Sequence, residues 1–318
     1  MTAELLIEQL LNGLQFGFML FLMSAGLTLI FGVMGLINLA HGSLYMIGAF
    51  SAAATFAFFN SFWLSLLASF SCAAIVGIVV EKTIIRKLYN RDHLDQVLVT
   101  FALILFFSEL VRWIFGAFPL YLDVPELLNG SIEIFSGIYY SKYRLFIIFV
   151  GLIIAVFLFF LIGKTNLGIQ IRAGQHDREM ISALGVDISK LYTLLFGIGA
   201  ALAGLAGALI GTIQSVEVGM GEPILILAFV IIVIGGIGSI KGALIASLLV
   251  GLVDTLGRFL IPWVLQTITN PSDAMSIGSA IGSMLIYILM AIILIFCLLY
   301  TSDAADEKRG VDLGGRRI

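Results

Sequence analysis

The chain has 318 residues, of which 60% are hydrophobic and 12% charged, and its mean hydropathy of +1.12 is far above that of a water-soluble domain. A net charge of −3 leaves no electrostatic footprint for nucleic acid, and two cysteines are too few for a disulfide framework or a metal cluster. The apolar residues come in runs of about 20 rich in Leu, Ile, Val and Phe, long enough to cross a hydrocarbon core of roughly 30 Å as helices. They lack strand-like alternation, which excludes an outer-membrane barrel.

In chain order the candidate spans are 10–36, 43–60, 62–82, 96–116, 144–163, 191–213, 223–239, 242–262 and 278–296. The expected fold is therefore an all-α polytopic integral membrane protein with eight or nine transmembrane helices. The first run begins near Leu5 without a basic leader or a short cleavable core, so it reads as a retained span. Lys82, Arg86, Lys87 and Arg91 follow the third span, and Lys164, Arg172, Arg178 and Lys190 follow the fifth. The positive-inside rule places both segments in the cytoplasm and the stretch 117–143 outside, which gives an external N-terminus and an internal C-terminus. An eight-span version, with a re-entrant break at Gly235 to Gly242, changes the parity at one end.

Between the first two runs, Asn38-Leu39-Ala40-His41-Gly42-Ser43 sets amide, imidazole and hydroxyl groups beside a helix-weakening glycine. Asn38, His41 and Ser43 either offer hydrogen bonds to a polar solute or serve structure alone, with Asn38 capping the second helix and His41 satisfying a neighbouring carbonyl. Glu109 and Arg112, at i and i+3, and Asp254 and Arg258, at i and i+4, are spaced to neutralise each other on one helix face. No lone carboxylate is placed convincingly in mid-span, as a proton-coupled carrier requires.

The cytoplasmic stretch 168–186 reads as a short surface helix. Ala173, Met180, Ile181 and Leu184 share a face, Arg172, Asp177, Arg178 and Glu179 cover the rest, and Gly185 is a natural stop. Its apolar face is narrow for binding lipid and suits a groove on a soluble partner. Gly197, Gly204, Gly207 and Gly211 read as a packing surface between helices. Gly235-Gly236-Ile237-Gly238-Ser239-Ile240-Lys241-Gly242 is denser than packing needs, and such a break at membrane depth lies in protein or lines a watery cavity, which makes Gly236, Gly238 and Ser239 candidates for a solute path.

After Phe296 the composition changes abruptly. The string Cys297-Leu298-Leu299-Tyr300-Thr301-Ser302-Asp303-Ala304-Ala305-Asp306-Glu307, then Lys308 to Gly310, then Val311-Asp312-Leu313-Gly314-Gly315-Arg316-Arg317-Ile318, resembles the in-frame translation of a sequencing-library adapter around a sample index. The expectation is a permease domain over 1–296, a foreign and disordered tail over 297–318, and a missing native C-terminus.

Three stretches together resemble the permease subunits of bacterial ATP-binding-cassette (ABC) importers for branched-chain amino acids, the LivH type. They are Gly26-Leu27-Thr28-Leu29-Ile30-Phe31-Gly32 through Asn38-Leu39-Ala40-His41-Gly42; Arg172-Ala173 through Ala183-Leu184-Gly185-Val186; and Gly235-Gly236-Ile237-Gly238-Ser239-Ile240-Lys241-Gly242-Ala243. The resemblance covers roughly residues 9–296. It implies a multi-pass protein of the bacterial or archaeal cytoplasmic membrane with no active site of its own. It also implies that 168–186 is the coupling segment docking on the ATPase, with Arg172, Ala173, Asp177, Met180, Ala183, Leu184 and Gly185 as its residues. The implied partners are a second, related permease, two cytoplasmic ATPase subunits and an external solute-binding protein, with membrane lipid around the chain. The chain has no G-x-x-x-x-G-K-[ST] phosphate loop, so ATP and magnesium belong to the partner ATPases and no cofactor is expected here. A urea or short-amide importer shares these motifs, an ATP-independent carrier is a rival of another class, and a membrane enzyme ranks last.

Overall fold

The computed structural model describes residues 3–314 apart from Asn90, Ser136 and Asp177. Helix α1 (Ala3–Met34) ends at Gly35, whose φ of 61° leaves the helical region, and residues 35–40 lead to α2 (His41–Phe59). Asn60, left-handed at φ 49°, turns the chain, and the Ser61 hydroxyl caps α3 (Phe62–Thr83) by accepting from the Leu64 amide at 3.5 Å. A 3-10 turn, Ile85–Leu88, precedes α4 (His93–Phe115), which stops at Gly116.

The stretch 117–143, expected to be an external loop, carries an antiparallel hairpin of β1 (Ser131–Phe135) and β2 (Ile138–Ser141). Leu120 also forms an isolated antiparallel bridge with Val216, which joins two connections on the external side. Then follow α5 (Lys142–Lys164), α6 (Asn166–His176), α7 (Arg178–Ala183), α8 (Ile188–Ile210), α9 (Gly221–Gly235), α10 (Ile240–Leu265) and α11 (Pro271–Gly314).

Among the described residues eight helices are long and apolar enough to cross a membrane. Of the nine expected spans the exception is α9, whose 15 residues reach about 22 Å against a core of roughly 30 Å. The span expected over 223–239 is therefore a partial crossing, because the chain leaves the helix at Gly236 (φ 86°) and Gly238 (φ 80°). With α9 set apart, the fold is the all-α polytopic membrane architecture expected, with the small hairpin added.

Contacts divide the chain into two units, Met1–Thr255 and Leu256–Ile318. In the first, α1, α2 and α8 are the central helices: 83%, 61% and 78% of their apolar windows are buried, against 28% or less for α3, α4 and α5. The peripheral helices turn large apolar residues such as Leu67, Ile75, Phe101, Leu105, Val156 and Phe160 outward, as lipid contact requires. The centre is close-packed through glycine. A Cβ added at Gly48 would lie 2.2 Å from the Gly204 Cα, and the Ser69 hydroxyl donates to the Gly204 carbonyl at 2.7 Å. Small residues thus let α2, α3 and α8 meet backbone to backbone, the packing role expected for the glycines of α8. In the second unit α11 packs closely on the end of α10, with Gly278 against Pro262 and Gly282 against the Arg258 backbone.

Helix α11 continues through Gly314, so a helix stands where a disordered tail was expected. The reason is local: Ala304, Ala305, Glu307, Lys308 and Arg309 favour helix, and extending an existing helix is far easier than nucleating one.

Candidate functional site

Two helix starts meet inside the membrane. Gly42, at the start of α2, lies against Gly221, at the start of α9, so closely that a Cβ on Gly221 would fall 1.9 Å from the Gly42 carbonyl oxygen. The other end of α9 is also fixed. Gly238, just past it, touches Gly32 near the end of α1 and the Gln175 amide of cytoplasmic α6. Residues 35–40 therefore climb back along α9, and six non-helical residues can cover that distance. The imidazole of His41 lies beside the Met23 backbone, nine residues or about 14 Å along α1 from Gly32. Helix α2 thus begins within the bilayer rather than at its cytoplasmic face.

Asn38 and His41 are fully buried; among the described residues the amide O and N of Asn38 have no hydrogen-bond partner, and the ring nitrogens of His41 have only a contact with the Met23 backbone that falls short of good hydrogen-bond geometry. The Thr28 hydroxyl on α1 is buried and unpartnered as well. Groups of this kind are seldom left unsatisfied, so each calls for a partner such as water, an ion or a solute. Ser43, two residues further into α2, is buried as well. Beside the Gly42–Gly221 contact opens a pocket of about 410 Å³ lined by Tyr45, Gln214, Ser215, Glu217, Met220 and Pro223. Its signal in the sequence is the polar run Gln214 to Glu217 between two apolar stretches.

At the cytoplasmic end, Arg172 donates to the Ile162 carbonyl and the Gln175 amide donates to the Gly238 carbonyl at 3.4 Å. Arg172, Gln175, Gly238 and Ser239 line one cavity of about 310 Å³. The structure thus joins Gly238 and Ser239 to the cytoplasmic segment, at the far end of α9 from Asn38 and His41, while a Cβ at Gly236 would meet no atom within 4 Å.

The single helix expected over 168–186 is two, α6 and α7, and the interruption re-phases its faces. Asp177 lies outside the described residues. Ile181 packs inward, Ala173 is half-buried, and Met180 and Leu184 are exposed, at 62% and 77%, beside exposed Ala183 and Gly185. Gly185 has φ 88° and carries the chain straight to Asp187. The Asp187 carboxylate caps α8 by accepting from the Lys190 amide at 3.1 Å, and hydrogen bonds from the Lys190 side chain and backbone hold it below the usual carboxylate range.

A buried charged cluster lies next to this junction. Glu81, near the end of α3, is fully buried. Its carboxylate accepts two hydrogen bonds from Arg86 at 3.1 Å, one from Tyr89 at 2.7 Å and one from Thr193 of α8 at 2.8 Å. Tyr89 stacks edge-on against Tyr192 at 5.1 Å. Burial and the bond to Glu81 raise the Tyr89 hydroxyl well above its usual range, so it stays a donor at physiological pH. The sequence signal was Glu81 closing an apolar run. Its partners five and eight residues on do not follow helical spacing, because α3 ends between them. The Glu109–Arg112 pair forms as expected, at 2.5 Å and well exposed.

A family model described as "Branched-chain amino acid transport system / permease component" matches residues 9–298. The chain belongs to this family. Among its relatives in this permease family, the high-affinity branched-chain amino acid transport system permease protein BraD of Pseudomonas aeruginosa is 32% identical over 265 residues, 79% of this chain and 86% of BraD. LivH of Escherichia coli, from a system of the same description, is 30% identical over 266 residues, 79% of this chain and 85% of LivH. LivM of Escherichia coli, likewise a permease protein of such a system, is 27% identical over 259 residues, 72% of this chain and 59% of LivM. No solved structure matches the chain. The chain is thus a multi-pass permease component of a transport system in the cytoplasmic membrane, and its role is transport rather than catalysis.

Proposed function

We infer that this chain is the membrane permease of an ABC importer for branched-chain or related hydrophobic amino acids, driven by separate ATPase subunits. The observation that carries the solute class is likeness to permeases of that description over 85–86% of their length. With no phosphate loop in the sequence, energy enters through partners: two cytoplasmic ATPases, a second permease related to this one, and an external binding protein that delivers the solute. Likeness to both LivH and LivM supports a paired permease built from two related chains.

In this reading the coupling element is α6 and α7, with Met180, Ala183, Leu184 and Gly185 on the docking side and Arg172 and Ala173 holding α6 to the core. Motion at α7 passes along the short link 184–187 into α8, the central helix, and through Thr193 to Glu81 and α3. The solute path runs by Ser43, Asn38 and His41 at mid-membrane towards Gly236, Gly238 and Ser239 at the cytoplasmic end. The different affinities of the partners for outward and inward states give the transport its direction.

Competition tests the solute class. In cells carrying the complete importer, excess unlabelled isoleucine and valine are expected to suppress uptake of labelled leucine, and excess urea or acetamide to leave it unchanged. Suppression by urea with no effect of isoleucine would assign the chain to short amides instead.

A further inference from the structure

The junction of α2 and α9 has an electrostatic property that packing does not account for. A helix N-terminus carries roughly half a positive charge and open N–H groups. Here two such ends abut at Gly42 and Gly221 within the membrane, where like partial charges are poorly screened. Neither is capped: Ala40 and Met220 occupy the cap positions and supply no side-chain acceptor. The backbone N–H groups of Gly42 and Gly221 have no backbone partner among the described residues. Glu217 and Glu222, the acids closest in sequence to the α9 start, are exposed. Asn38, just before α2, and His41, its first residue, are fully buried, the Asn38 amide without a partner and the His41 ring with only a weak contact to the Met23 backbone. Two positive helix ends, an unpartnered buried amide and an imidazole held by one weak contact make an arrangement that an anion would complete.

We propose that the facing N-termini of α2 and α9, with the side chains of Asn38 and His41, form a mid-membrane binding site for the carboxylate of the transported amino acid. This rests on the amino-acid importer reading above. In the conformation described the two backbones touch, so the site is closed. When α2 and α9 part, the freed N–H groups of Gly42 and Gly221 and the donors of Asn38 and His41 replace the water that the carboxylate loses. Glycine at both positions allows close approach in the closed state and leaves the N–H groups uncovered in the open one.

The test uses the complete importer in proteoliposomes, with its ATPases and binding protein, and reads leucine uptake per ATP hydrolysed. Asn38→Leu and His41→Leu should each lower this ratio by about tenfold or more, the loss expected for one hydrogen bond to a charged group, while stimulated ATP hydrolysis continues. His41→Gln, which keeps an N–H donor, should retain most of it. Leucine variants that transport at the wild-type ratio, or that lose hydrolysis and uptake equally while assembled, would overturn the site. Should the leucine variants fail to assemble, solid-state NMR of the wild-type importer trapped with solute decides. Carboxyl-carbon-labelled leucine should lie within about 4 Å of labelled His41 ring nitrogen, and the signal should vanish in His41→Gln; no such contact would overturn the proposal. A wild-type importer that carries no amino acid contradicts the importer reading, whereas one that carries leucine despite unaltered leucine variants contradicts the carboxylate site alone.

Discussion

Replacing Ala183 with Glu and Gly185 with Val together is expected to abolish solute-stimulated ATP hydrolysis and coupled uptake while leaving membrane insertion intact. Ala183 is exposed beside Leu184 and Met180, so the glutamate does not disturb the core but sets a charge in the middle of an apolar contact. Gly185 acts differently. A Cβ there meets no atom within 4 Å, yet φ is 88°, a conformation that a β-branched residue adopts only at a cost of about 1–3 kcal/mol. Valine is therefore expected to unwind the end of α7, where the Val186 amide donates to the Ile181 carbonyl at 3.3 Å, and to misdirect the link into α8. Co-purification of the ATPase and its stimulated turnover are the measurements. Retention of both would remove α7 from the docking surface.

The second large effect is expected at the buried cluster. Arg86→Ala leaves the Glu81 carboxylate fully buried without its charged partner, a change that costs about 3 kcal/mol or more in comparable sites. Glu81→Gln should be milder. The arginine it releases is 38% exposed and can return to water, and the amide oxygen still accepts from one of the Tyr89 and Thr193 hydroxyls while its NH2 donates to the oxygen of the other. Thermal unfolding of the permease in nanodiscs should show a large drop in midpoint for Arg86→Ala and a small one for Glu81→Gln. The reverse order, or two equal small shifts, would show that the carboxylate is not buried as described.

The contrast between the legible and the hidden parts has a physical basis. Membrane class and most spans follow from apolar runs whose length the bilayer dictates, and cytoplasmic sides from Lys82 to Arg91 and Lys164 to Lys190. The glycines of α8 announce close packing through their spacing. What the sequence conceals are relations between distant segments. Nothing near Gly42 marks Gly221 as its neighbour, and nothing near Asn38 shows that residues 35–40 turn back into the membrane. Periodicity puts Ala173, Ile181 and Leu184 on one face of a single helix over 168–186, but a break in mid-segment turns Ile181 inward and Leu184 outward. Glu81 was hidden for the same reason, since two of its partners lie past a helix end and the third is 112 residues away.

The central claim, that this permease moves amino acids only when a partner ATPase drives it, meets its most direct test in uptake of radiolabelled leucine. Proteoliposomes holding this chain and its second permease would be compared with and without the ATPase subunits, with binding protein and ATP supplied in both. Accumulation against a gradient is expected only in the complete assembly and should cease when hydrolysis is blocked. Leucine accumulation by the permease pair alone, driven by a proton or sodium gradient, would contradict the account and make the chain a secondary carrier.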